Sequence, residues 1–254
     1  MSHEPEYQTE QARIESGKQL DQRYADVMAR HFNNPVEIVQ NYGLYIKRHV
    51  TLSRILHHYE IFRQIKDLPG SIVECGVFRG ETLLLWGKFL EIFCTGDRTK
   101  YVYGFDHFQG LKDLKSQDGT QNVAMHEGAY DPSNYYQELL ELIELFDADR
   151  FVPNKPRIKL VEGDVLTTIP KFVEQNPGMR ISLLHLDLDL YEPTLIALQC
   201  LYPLVVKGGA IVFDEYAFEN FPGETKAVED YFGDNLPRIQ KFDWFGNPGG
   251  FFFK

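Results

Sequence analysis

Apolar and polar positions follow two regimes along the chain, with a break near residue 70. Residues 1 to about 68 are polar and helical in period. They end in TLSRILHHYEIFRQIKDL, where Leu52, Ile55, Leu56, Tyr59 and Phe62 recur at helical spacing. Pro69–Gly70 stops that helix. Beyond it, SIVECGV (71–77), KYVYGFD (100–106), RIKLVEGD (157–164), ISLLHLDLD (181–189) and AIVFDEY (210–216) read as strands. The segments 81–93, 131–146, 167–176, 192–205 and 224–235 between them read as helices. Asp131 is the expected N-cap of the second, with Pro132 at its first position. RIQKFDWF and GGFFFK read as two closing β segments around a Gly-Asn-Pro-Gly turn.

Apolar strands separated by helices predict a mostly parallel sheet covered on both faces. The closing pair adds an antiparallel hairpin at one edge, for seven strands in all. The expected division is a helical extension over 1–68 and an α/β domain over 69–254. The stretch 107–130 is long for a connection, so it reads as a functional lid or as disordered.

Composition narrows the function classes. With 254 residues, 43% of them hydrophobic, the chain can bury one substantial core. A net charge of -11 argues against tracking nucleic-acid phosphates or docking on an anionic membrane. No apolar run approaches the roughly 20 residues of a membrane span, and MSHEPEYQTEQAR does not read as a signal peptide. Three cysteines without metal-ligand spacing suggest a reducing, cytoplasmic setting.

Ligands of an open parallel sheet bind beyond the carboxyl ends of its strands. The first such turn, ECGVFRGET, offers Glu74, Gly76 and Gly80, but Phe78 breaks a G-x-G-x-x-G fingerprint. Glu74 beside the helix start would repel a pyrophosphate, so a cationic ligand part such as a sulfonium fits better. The next strand ends at Asp106, where a carboxylate accepts hydrogen bonds from ribose hydroxyls. Together these follow the logic of S-adenosylmethionine binding; the alternative is an ordinary turn with solvated acids. Asp164, ending the third strand, would border the adenine, although Gly-Asp is also a common turn dipeptide.

The run ISLLHLDLDLYEP places Asp187 and Asp189 in an apolar context, where an unpaired buried carboxylate costs several kcal/mol, roughly. Adjacent strands would bring Asp187, Asp214 and Glu215 to one rim. Three carboxylates at close range need protons or a cation, and an all-oxygen set suits Mg²⁺. The alternatives are a helix cap, the expected role of Asp189, an Arg or Lys partner, or a solvated rim. His185 lies deeper on the same face and reads as a core residue. His57 and His58 read as surface or packing residues, and His107 and His126 flank the lid.

GSIVECGVFRGET, VYGFDHFQGL, HLDLDLYEPT, ALQCLYPLVVKGGAIVFDEY and the terminal FFFK resemble the macrocin/mycinamicin-type (TylF-like) sugar O-methyltransferases, from about residue 50 onward. The resemblance implies a class I methyltransferase sheet, S-adenosylmethionine as cofactor, and Mg²⁺-dependent methylation of a deoxysugar hydroxyl. It places the metal on Asp187, Asp214 and Glu215; Asp187, ligand and neighbour at once, is the expected proton acceptor. It places the cofactor turn on Glu74, Gly76 and Gly80 and the ribose acid on Asp106; Thr82, His107 and Asp164 complete the expected cofactor contacts. Two departures stand out: Asp214–Glu215 replaces an Asp–Asp pair, and His107 replaces a common Ser. The implied partners are a small-molecule sugar acceptor and further copies of the chain. A catechol-like diol acceptor, a non-catalytic adenosine-ligand module and a nicotinamide dehydrogenase are the competing readings.

Overall fold

The short branched runs become the strands of a single sheet. The structure, a computed structural model, describes residues 10–31, 34–44, 46, 51–152, 155–245 and 249–254. The strands are β1 (Ser71–Cys75), β2 (Val102–Asp106), β3 (Ile158–Glu162), β4 (Ile181–Leu186), β5 (Val205–Phe213) and β6 (Gly250–Phe253). Their order is β3-β2-β1-β4-β5-β6, parallel except for β6, which pairs antiparallel with β5. The order reverses direction between β1 and β4, which creates a crevice at their carboxyl ends.

Alternation along each strand divides the core in two. Ile72, Leu183, Ala210 and Val212 face one layer, against α3 (Ser53–Ile65) and α4 (Glu81–Phe93). Val73, Cys75, Leu184, Leu186, Ile211 and Phe213 face the other, against α6 (Val165–Gln175), α7 (Tyr191–Leu201) and α8 (Pro222–Phe232). The helix α5 (Tyr136–Ala148) buries Leu139 on the first side. Burial on both faces is why these strands read as near-continuous apolar runs rather than alternating ones.

The structure corrects four expectations. Among the described residues the sheet has six strands, not seven. The segment Arg238–Phe245 makes a single bridge, Gln240 to Phe251, and then turns. Its aromatic rings Phe242 and Phe245 pack on His57 instead of continuing a ladder. The turn residues 246–248 lie outside the described residues. The α/β unit begins at Ser53, not near residue 69, because α3 buries His57, His58, Ile61, Phe62 and Ile65 in its core. The preceding unit contains α1 (Glu10–His31) and α2 (Pro35–Gln40), the latter capped by Asn34. In addition, the helix expected to run to residue 205 and to end at Lys207–Gly208–Gly209 stops at Leu201, and those glycines lie within β5; α5 starts after a short turn in which Asp131 accepts from Ser133 N–H. No helix among the described residues is long and apolar enough to cross a membrane.

Segment 107–130 is ordered over the carboxyl ends of the strands. Leu111, Met125 and Ala129 form a small core with Leu190 and Phe221. Asp118, only 1% exposed, accepts from Lys115 N–H at 2.7 Å and from Tyr191 N–H at 2.6 Å. The lid is thus fastened to the start of α7.

His57 stacks on Phe245 with ring centroids 4.1 Å apart, and burial lowers its pKa to about 4. An unfolded histidine titrates near 6.5, so the unfolded chain binds more protons between those values. Stability is therefore lost as pH falls through this window, by about 2 kcal/mol from His57 at pH 5. Urea titrations at pH 7 and pH 5 are expected to show that loss in the wild type and a smaller one in His57→Phe.

Candidate active site

Three backbone steps bring the acids together. Beyond the ends of the strands, Asp187 N–H donates to Cys75 C=O at 2.8 Å and Asp214 N–H donates to Leu186 C=O at 3.0 Å. Asp187 and Asp214 thus stand side by side, on the sheet face that carries His185. Gly76, at φ +88°, lies so close to Asp187 that an added Cβ would run into the Asp187 carbonyl. The glycine turn and the first acid are in backbone contact.

The cation beside these acids is a residue that sequence reasoning missed. Arg54, in the first turn of α3, forks onto Asp214: Nη2 lies 3.0 Å from Oδ1 and Nη1 lies 3.1 Å from Oδ2. Its Nη2 also reaches Asp187 Oδ2 at 3.3 Å, and its Nε donates to Thr82 Oγ1 at 3.4 Å. Two-point contact with a planar carboxylate is the strong form of an ion pair. Burial would raise the Asp214 pKa, but Arg54 and then His185 outweigh it and hold the carboxyl far below its ordinary range. The only sequence signal was an Arg at the start of an amphipathic helix, with nothing local to mark its partner.

Beneath the fork lies a second charge pair. His185, fully buried, has Nδ1 3.5 Å from Glu74 Oε2 and Nε2 3.6 Å from Asp214 Oδ1. These separations exceed a hydrogen bond, so the attraction is between charges. Burial alone would lower the imidazole pKa; Asp214 and Glu74 reverse that and raise it to about 10. Glu74 sits in register with His185 on the neighbouring strand and is 1% exposed. Its carboxylate therefore faces the core, not a ligand beside the turn as expected.

Asp187 keeps a single contact with Arg54, and the other acids of the rim, Asp189 and Glu215, have no ion pair among the described residues. Asp187, Asp189 and Glu215 carry ligand oxygens within 4.8 Å of one another, as do His185, Asp187 and Asp214. Burial, then the charge of Asp214, pushes Asp187 up to about 7. Burial and neighbouring carboxylates raise Asp189, Glu215 and Glu224 well above their ordinary range. Glu215 Oε2 is buried with no hydrogen-bond partner. Glu224 Oε1 accepts from Glu215 N–H at 2.9 Å, which fixes the residue's backbone. Asp189 was expected as a turn or cap. It does adopt a left-handed turn at φ +61°, but Leu190 is the N-cap of α7 and the acid that accepts from the helix start is Asp118.

The other expected cofactor residues surround the glycine turn. Asp106 accepts from Val77, Phe78 and Phe108 N–H at 2.7–2.9 Å, so backbone amides take three of roughly four acceptor positions. It ties the turn to β2 first, and one position remains for a hydroxyl. Phe78 takes a left-handed φ of 51° without being glycine. Gly80, the N-cap of α4, packs against Leu139, and Thr82 is buried under Arg54. His107 Nδ1 accepts from Gln109 N–H, and Asp164 caps α6 through Leu166 N–H.

A rim of carboxylates at the switch point suits cations, both a hard metal ion and a sulfonium, and repels a pyrophosphate. The macrocin-O-methyltransferase (TylF) family model matches residues 50–247, which include every element of this rim. The chain belongs to that family. Among curated relatives, it is 29% identical over 167 residues to the demethyldecarbamoylnovobiocin O-methyltransferase of Streptomyces niveus. It is 26% identical over 164 residues to the mycinamicin III 3''-O-methyltransferase of Micromonospora griseorubida. Each match covers 65% of this chain, but 59% and 61% of the relatives' lengths. Among solved structures, CalS11, a calicheamicin methyltransferase, superposes with a TM-score of 0.86 at 27% identity, covering 97% of this chain and 94% of that one. Its class I methyltransferase fold is the fold of this chain.

Arg54→Met leaves Asp187 and Asp214 without their buried counter-ion, and is expected to cost about 3 kcal/mol in denaturant unfolding at pH 7. Asp214 is held low in the folded state, so its contribution is kept above about 4 and fades progressively as pH falls below that, where the gap to wild type narrows. Gly76→Ala forces apart the turn and Asp187, and is expected to cost about 2 kcal/mol or more by the same measurement.

Proposed function

We propose that this chain is an S-adenosylmethionine-dependent O-methyltransferase that uses a divalent cation, Mg²⁺ for preference, to methylate a deoxysugar hydroxyl in the biosynthesis of an antibiotic-type natural product. The observation that carries this reading is the backbone contact between the glycine turn at Gly76 and the acid rim at Asp187. It brings the turn that would hold a cationic methyl donor against the acids that would hold a hard cation. CalS11 is described as a TDP-rhamnose 3'-O-methyltransferase, and its apo form superposes with a TM-score of 0.78 at 26% identity. That likeness supports a sugar acceptor, either nucleotide-linked or already transferred.

The residues present fit both groups. The turn at Gly76 and Gly80, Asp106 with its remaining acceptor position, His107 and Asp164 would hold the cofactor. Asp187 and its unpaired acidic neighbours would hold the cation. When bound, S-adenosylmethionine supplies an electrophilic methyl group and the metal acidifies a coordinated hydroxyl. Asp187, next to the glycine turn and at the edge of the acid rim, is the group placed to accept the hydroxyl proton. Arg54 and His185 hold Asp214, and through it the rim, in a fixed position, so that alignment contributes to rate. The lid over the strand ends excludes water.

Methyl transfer from radiolabelled S-adenosylmethionine, screened across TDP-deoxyhexoses, glycosides and catechols with Mg²⁺ or EDTA, tests this reading. Turnover is expected on a sugar with Mg²⁺ and not with EDTA. Asp187→Asn is expected to lose turnover by at least about 100-fold while retaining cofactor binding by calorimetry. Turnover of Asp187→Asn near the wild-type rate would remove Asp187 as the base.

A further inference from the structure

Non-glycine residues in the left-handed backbone region gather at one end of the sheet. Among the described residues they are Phe78, Phe108, Asp113, Tyr130, Asp189 and Ala217, and all six lie in connections that follow β1, β2, β4 and β5 at their carboxyl ends. A bulky side chain at positive φ is an outlier, and such outliers persist where the surroundings hold them and cluster at ligand sites. Three of the six are aromatic. Phe108 is buried and packs on Tyr136, with ring centroids 4.5 Å apart, so its conformation serves the core. Phe78 and Tyr130 differ, at 43% and 47% exposed.

Both rings stand on fixed backbone. Phe78 N–H donates to Asp106 Oδ2 at 2.9 Å, and the carbonyl of buried Ala129, just before Tyr130, accepts from Leu111 N–H at 2.7 Å. The two rings meet edge to face, with centroids 6.0 Å apart and planes at 85°, and Tyr130 leans on buried Phe221 at 6.2 Å. The result is a right-angled aromatic corner, partly open, with the glycine turn on one side and the end of the lid on the other. It borders the acid rim. Phe78 lies two residues beyond Gly76, which abuts the Asp187 carbonyl. Burial, and then the charges of Asp189, Glu215 and Asp187, raise the Tyr130 phenol. Hydroxyls suit the rim, whereas two flat apolar faces at its mouth suit a flat ring.

We propose that Phe78 and Tyr130 form an acceptor clamp: they grip a planar ring carried next to the sugar while the sugar's hydroxyls face the acid rim. This rests on the sugar-acceptor reading above and adds what must be attached to the sugar. The planar ring has two sources, an aromatic aglycone or the base of a nucleoside diphosphate, and the same stacking serves either. Neither side chain takes part in methyl transfer, so their effect falls on acceptor affinity and selectivity.

The test is binding of three probes to the full chain, with S-adenosylhomocysteine and Mg²⁺ present, by saturation-transfer NMR titration. The probes are methyl α-L-rhamnoside, 4-nitrophenyl α-L-rhamnoside and TDP-rhamnose. At least one of the two ring-bearing probes is expected to bind at least about fivefold tighter than the methyl glycoside, and the tighter one identifies the source of the ring. Tyr130→Leu and Phe78→Leu are expected to remove that preference and Tyr130→Phe to keep it. If Phe78→Leu loses S-adenosylhomocysteine, the two Tyr130 variants decide. Equal affinity for all three probes in the wild type overturns the clamp, as does a preference that survives in Tyr130→Leu. Equal weakening of all three probes in Tyr130→Leu marks a packing role for the ring and also overturns it. These results leave a sugar methyltransferase standing. Binding of none of the probes, by a chain that binds S-adenosylhomocysteine, overturns the clamp and the sugar acceptor together.

Discussion

The fork from Arg54 to Asp214 is the interaction on which the arrangement depends. A parallel sheet whose strands end in acids accumulates negative charge at one edge, and α3 brings the compensating cation from outside the sheet. The contact also fixes α3 at the carboxyl ends of β4 and β5, while Ile61, Phe62 and Ile65 fix its far end in the core. Removing one charge from a buried pair costs more than the pair contributes, so neither partner can change alone. His185 extends the same logic one layer down, where Glu74 on β1 and Asp214 beyond β5 share a single buried imidazole.

Electrostatics at the rim then sorts chemically identical groups into different roles. Asp214, facing two cations, stays ionised; Asp187, three positions beyond the middle of the neighbouring strand and touching only one arm of Arg54, is raised to about 7. Glu215 and Asp189 make no ion pair among the described residues, and burial with the neighbouring carboxylates raises both. Separating pKa values among adjacent carboxylates is how one small site provides both an anchor and a base.

The fold was legible where burial on both faces imposed long apolar runs, as in ISLLHL and AIVF, and where Pro69–Gly70 marked an end. It was not legible at RIQKFDWF, whose alternation looks like a strand but whose rings are used to cover His57. The acids of the site were legible as types in a pattern, since Asp187, Asp214 and Glu215 end neighbouring strands. What local sequence does not encode is which acid meets which cation. Arg54 lies 133 residues from Asp187 and 160 from Asp214. Glu74 looked like a ligand contact because it precedes the glycine turn; strand register turned it inward to His185 instead. Asp189 looked like the cap of α7, yet an acid from the lid does that work.

That last substitution bears on how the site is reached. Asp118 belongs to the segment covering the strand ends, and its two oxygens are shared between the segment's own turn and the first amide of α7. Gly223 of α8 packs so close to Asp118 and Tyr191 that no side chain fits between them. The cover is therefore not a flap on a free hinge. Lifting it would uncap a helix and strip a buried carboxylate of both its donors, so the cover and the start of α7 are one mechanical unit.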